Sequence, residues 1–93
     1  MPFAAVTFVS LQGRDTAGAV SLLNDVLIPR VKALPGFQAA RFLRSVDGSS
    51  GVGSVIFDTE RNARDGLDAM TAARPAGAPP VERTAIYEIV AEA

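Results

Sequence analysis

Residues 3–11, FAAVTFVSL, read as a strand that is apolar on both faces. Phe3, Ala5, Val9 and Leu11 lie on one side and Ala4, Val6 and Phe8 on the other, with only Thr7 and Ser10 polar between them. Because side chains alternate along a strand, both surfaces here require cover. VGSVIFD, residues 52–58, makes the same demand, with Val55 and Phe57 on one side and Val52 and Ile56 on the other. The chain has 93 residues, enough for one domain over 1–93, and a chain this short hides only about 60–65% of its unfolded surface. Yet 48% of its residues are hydrophobic before its 8 glycines are counted. A soluble domain reaches ~45–50% with glycine included.

Between these strands the periodicity changes. Asp15 is suited to cap a helix starting near Thr16, in which Val20, Leu23, Leu27, Val31 and Leu34 recur at spacings of three and four. Pro29 lacks a backbone donor and predicts a kink between Asp25 and Arg30. Pro35-Gly36 ends the helix, and Phe37 to Val46 forms a second strand. DGSSG, residues 47–51, is a hairpin loop, and Gly53 in the third strand marks a bulge or a close backbone approach. Asp58 or Thr59 caps a helix from Glu60 to about Ala73, with Ala63, Leu67 and Met70 inward. Arg74 to Pro80 is a linker, and VERTAIYEIVAEA is the fourth strand.

The order β-α-β-β-α-β, with right-handed crossovers, predicts an α+β, ferredoxin-like protomer: an antiparallel four-stranded sheet with both helices on one face. Nothing in the chain remains to cover the other face. A second sheet from a two-fold homodimer supplies that cover, through an interface on the order of 2,000 Å² or more.

LIPRVKALPGFQAARFLRS, followed by a Gly-rich turn and VIFDTERNA, resembles the dimeric α/β-barrel group that contains antibiotic-biosynthesis-monooxygenase-like proteins. The resemblance covers nearly the whole chain in element order. It implies a homodimeric barrel with a pocket between helices and sheet in each subunit. Members include cofactor-independent monooxygenases of quinol or polyketide-like substrates, haem-degrading enzymes and proteins without assigned activity. The chain departs from two of these patterns. It has no histidine, the ligand of the haem-degrading members, and no tryptophan, with Asn24 and Asn62 its only asparagines.

Composition excludes several chemistries. Without histidine or cysteine there is no Ser-His triad, thiolate or thiolate-metal site, and no clustered carboxylates suggest a metal. Lys32 is the lone lysine and is not placed for Schiff-base work. Gly48 and Gly51 precede a strand, so the phosphate-loop reading fails. A net charge of −1 offers no footprint for nucleic acid or an anionic membrane surface. The N-terminus lacks a basic leader and is too short to span a bilayer, so a soluble, cytoplasmic protein is expected.

The remaining polar residues form the candidate list. Arg41 and Arg44 point to opposite faces of strand two, Arg41 with Phe37, Ala39 and Leu43, and Arg44 with Gln38, Ala40 and Phe42. Charged residues on an edge strand ordinarily snorkel and block edge pairing. Alternatively Arg41 anchors a ligand oxygen or pairs with Glu88 across the dimer. Tyr87 could orient a phenolic or enolic oxygen, or simply mark an amphipathic strand end. Glu88 is the candidate general base in a row of otherwise solvated carboxylates. Thr7, Ser54, Asn62 and Phe42 are candidate substrate contacts, although small-core hydroxyls and helix-start chemistry also account for the first three. Arg41, Tyr87 and Glu88 would thus hold or deprotonate a hydrophobic aromatic substrate, in a monooxygenase needing no cofactor. The alternative is a non-catalytic ligand-binding or structural dimer. A haem enzyme would need Tyr87 as an unusual iron ligand.

Overall fold

In the computed structural model, which describes residues 1–13, 16–74 and 78–93, four strands form one sheet: β1 (Phe3–Ser10), β2 (Phe37–Arg44), β3 (Ser50–Phe57) and β4 (Val81–Glu88). Their order is β2-β3-β1-β4, every neighbouring pair antiparallel, so the two doubly apolar strands are central. The helical segments are α1 (Thr16–Leu22), a π-helical turn (Leu23–Leu27), α2 (Ile28–Lys32) and α3 (Glu60–Ala72). Asp15, the expected first cap, and part of the expected linker, residues 75–77, lie outside the described residues.

Pro29 shapes the first helix, though not as a simple kink. A proline in a helix leaves the carbonyl four residues back unpaired and collides with it. The backbone answers with a π turn immediately upstream, where the Ile28 N–H bonds the Leu23 carbonyl, five residues back. Pro29 then sits in the first turn of α2, where its missing donor costs least. The Thr59 hydroxyl caps α3 by accepting the Asn62 N–H at 3.1 Å. The Arg30 guanidinium donates to the Ala73 carbonyl at 3.1 Å, tying α2 to the end of α3.

The core lies between the helices and one sheet face. Ala5, Val31, Val55, Phe57 and Ala63 are fully buried, with Phe3, Phe37, Ala40, Phe42, Leu67, Met70 and Ile86 packed around them. Gly66 lets α3 approach: a Cβ there would stand 2.8 and 3.0 Å from two ring carbons of Phe57.

Three strand boundaries differ from the sequence expectation by two residues or more. β2 ends at Arg44, because Ser45 opens a turn closed by the Gly48 N–H on its carbonyl at 2.9 Å, and Gly48 takes a φ of +78°. Val46 is left fully exposed at the tip. β3 begins two residues early, at Ser50, and β4 ends at Glu88, with the Ile89 N–H bonding the Pro2 carbonyl. Gly53 itself sits in regular pairing. The irregularities fall between Phe37 and Ala39 and between Phe8 and Val9.

Candidate functional site

The irregularity in β2 decides which arginine faces the helices. Phe37 pairs with Phe57, but Ala39 already pairs with Ile56, so Gln38 is an extra residue and the alternation resets. Phe37 therefore shares its face with Ala40, Phe42 and Arg44, not with Arg41. Arg41 stands opposite Ser54 on the face away from the helices.

Between that helix-side face and the helices lies a cavity of about 330 Å³. Its floor is Ala5, Thr7 and Val9 of β1, Gly51, Gly53 and Val55 of β3, and Phe42 and Arg44 of β2. Leu22, Leu23 and Leu27, from the end of α1 and the π turn, form one wall. Met70 and Thr71 of α3, with Arg74, Ala78 and Pro79 beyond it, form the other. Two glycines create the volume. Gly53 lies opposite Thr7 and Phe42 in the ladder, and a Cβ there would come within 3.0 Å of the Phe42 ring. A Cβ on Gly51 would meet Val9 at 3.1 Å and Leu11 at 3.2 Å. With two side chains missing from a central strand, room remains there between the sheet and the helices.

The lining is mostly aliphatic. Among the described lining residues the polar side chains are Thr7, Arg44, Thr71 and Arg74. The Thr71 hydroxyl donates to the Leu67 carbonyl at 2.9 Å and is occupied. Arg74 donates to the Pro79 carbonyl.

Of the residues singled out in the sequence, Thr7 and Phe42 line the cavity. Arg41, Ser54 and Tyr87 are on the opposite face, Arg41 and Tyr87 on opposite edge strands, with Tyr87 across from Ala4 and 46% exposed. Glu88 is exposed opposite Phe3, at the sheet end away from the cavity. Asn62 is engaged at the start of α3, its amide donating to Asp58 Oδ1 at 2.7 Å. The structure thus does not bring Arg41, Tyr87 and Glu88 into one site with Thr7 and Phe42.

Among the described lining residues the cations are Arg44 and Arg74, and Arg74 had a readable signal. It extends the buried line Ala63, Leu67, Met70 by one more step of four. Arg44's signal was its parity with Phe42, a candidate contact on the same face, but the bulge at Gln38 that takes Arg41 off the face of Phe37 leaves no mark in composition.

Among the described residues one titration is displaced, in the hairpin that joins the cavity residues Arg44 and Gly51. Asp47 in the hairpin turn is held at about 2, chiefly by the backbone N–H of Ser49 at 3.0 Å, then by the hydroxyls of Ser45 and Ser49, each at 2.7 Å. Its role is to fix the turn. Among the described residues no group of three or more acidic, His or Cys side chains is placed to hold a metal, and no helix is long and apolar enough to cross a membrane.

No protein-family model matches the sequence, and neither does any curated protein. Solved structures do match. The fold is similar to a monooxygenase from the Streptomyces coelicolor gene ActVA-Orf6 in complex with nanaomycin D, at 20% identity over 98% of this chain and 89% of that one, with a TM-score of 0.68. Rv0793 from Mycobacterium tuberculosis matches at 21% identity and a TM-score of 0.66, over 100% and 99% of the two chains. A mutant MhuD with two manganese protoporphyrin IX molecules per active site matches at 15% identity and 0.66, over 100% and 98%.

A porphyrin of that kind is not suited to this cavity. The described lining has no His, Cys or Tyr to ligate iron, and Tyr87 is on the other sheet face. Its one sulfur, the Met70 thioether, serves in haem proteins alongside a histidine, which this chain lacks. At these identities the likeness establishes architecture: the chain has the ferredoxin-like α+β fold of the antibiotic-biosynthesis-monooxygenase-like structures.

Proposed function

We propose that the protein is a homodimeric small-molecule-binding protein of the α/β-barrel type, whose cavity takes an aromatic, quinol or polyketide-like molecule and promotes its cofactor-independent oxygenation. The observation that carries this reading is the glycine-floored cavity of about 330 Å³, walled by leucines and closed by Phe42 and Met70. An apolar slot of this kind accepts a flat aromatic body and excludes water from it. The described lining offers no carboxylate, His, Cys, Lys or Tyr as a general base. The substrate must therefore be acidic enough to form its own anion. That anion joins O2 at a ring methylene, and the hydroperoxide loses water to leave a ketone, one oxygen atom in each product. The structure with nanaomycin D supports the ligand class.

The sheet face away from the helices supports the dimer. Phe8, Val52, Ile56, Leu43 and Tyr87 lie on it, Leu43 being 55% exposed, and Arg83 stacks on the Phe8 ring at 4.2 Å. Two such faces packed against each other would close the barrel. Sedimentation at low micromolar concentration is expected to give a dimer. A single well-folded protomer would refute the assembly.

The binding test is thermal unfolding with nanaomycin D and with anthrone-type quinols, since a ligand that binds only the native state raises its melting temperature. A saturable rise is expected, and none with any of these compounds would sink the reading. A non-catalytic ligand-binding dimer is the second reading, favoured by the missing general base. Binding without enzyme-dependent O2 consumption would decide for it.

A further inference from the structure

The polar groups of the cavity are not scattered. Arg44, Gly51, Val9 and Val81 form one row straight across the sheet, from β2 through β3 and β1 to β4. Arg44 lies at one end of this row. At the other, Arg74 reaches the Pro79 carbonyl, two residues before Val81. The two guanidiniums therefore flank the same end of the cavity from opposite sheet edges, with the bare backbone of Gly51 and the aliphatic side chains of Val9 and Leu11 between them. The other end, at Ala5 and Val55, abuts the sealed core around Phe57.

No described ion pair engages either cation. The described ion pairs are Arg61 with Asp65 and Arg64 with Glu60, both on α3, and Arg44 makes no hydrogen bond or ion pair among the described residues. No carboxylate is among the described lining residues. Two cations at the rim of an apolar slot attract an anion whose remaining body is apolar, and guanidinium forks suit planar oxyanions in particular.

We infer that the cavity selects amphipathic anions: an aromatic body over Gly53 and Phe42, and a carboxylate held between Arg44 and Arg74. The inference deepens the proposed function and rests on this cavity being its ligand site. The anionic head fixes the direction of entry, with the far ring deepest, against Ala5 and Val55. It also supplies the discrimination that an aliphatic lining lacks, because a neutral analogue leaves the cations without a partner.

The test compares anthraquinone-2-carboxylate with its methyl ester by calorimetric titration of the intact protein. The acid is expected to bind about tenfold tighter than the ester at low salt, the usual scale for a charge-assisted contact, and the preference should shrink as salt rises. Arg44→Gln and Arg74→Gln should each remove most of the preference for acid over ester. Arg74→Lys keeps a cation and a donor for Pro79 and should restore the preference, which separates charge from linker geometry. Equal affinities for acid and ester in the unaltered protein would overturn the selectivity while leaving the binding reading intact. Failure of both probes to bind would overturn the two together.

Discussion

Gly66→Ala is the substitution whose outcome the packing decides most sharply. By helix propensity alone, alanine in the middle of α3 should stabilise by about 1 kcal/mol. The structure predicts the opposite sign. The new methyl would stand 2.8 and 3.0 Å from Cε1 and Cε2 of Phe57, and closer still to Cζ, where carbons rest at ~3.5–4.0 Å. Phe57 cannot yield, being 0% exposed between Val31, Ala63 and the sheet. The helix must instead lift from the sheet, at an overpacking cost of about 1–3 kcal/mol or somewhat above. The net expectation is a loss of about 1–2 kcal/mol, or a melting temperature lower by roughly 5–10 °C for a domain of this size. Urea denaturation at fixed protein concentration measures it. The cycle with Phe57→Leu identifies the cause: leucine lacks the ring edge, so the double variant should recover about 1 kcal/mol or more relative to additivity. A stabilised Gly66→Ala, or an additive cycle, would show that α3 does not sit this close to β3.

Gly53→Val should fill the cavity floor and press on the Phe42 ring, abolishing the thermal shift with nanaomycin D at an overpacking cost of about 1–3 kcal/mol; a retained shift would place the ligand elsewhere. Thr59→Ala removes the hydroxyl that caps α3 and should cost about 1 kcal/mol in denaturant unfolding. Asp47 is bound more strongly as a carboxylate in the folded state, so its contribution is present above the ordinary value of 3.8 and is lost as the pH falls towards about 2. Asp47→Asn should therefore flatten stability against pH across that window, and an unchanged acid limb would refute the assignment.

The order of elements and the doubly apolar central strands were legible because both follow from periodicity. Ala63, Leu67 and Met70 turn inward as their spacing requires, and Thr59 caps α3 as the residues before Glu60 suggest. The site was less legible, for two physical reasons. A bulge at Gln38 depends on how β2 meets β3, a tertiary matter that the run FQAARFLR does not encode alone. A cavity is made by side chains that are missing. Gly51 and Gly53 look in the sequence like turn chemistry and local irregularity, whereas in the fold they are the floor over which a ligand could lie.

The extra residue at Gln38 works as a parity switch. A chain of this architecture that lacked it would keep Phe37 in the core only by turning Arg41 and Leu43 towards the helices and sending Phe42 and Arg44 outward. Both guanidinium positions would survive in the primary structure while the charged rim of the slot moved to the other layer. Comparing relatives by residue type at matching positions is therefore unsafe in β2: what has to be matched is an odd or even count from the phenylalanine that opens the strand.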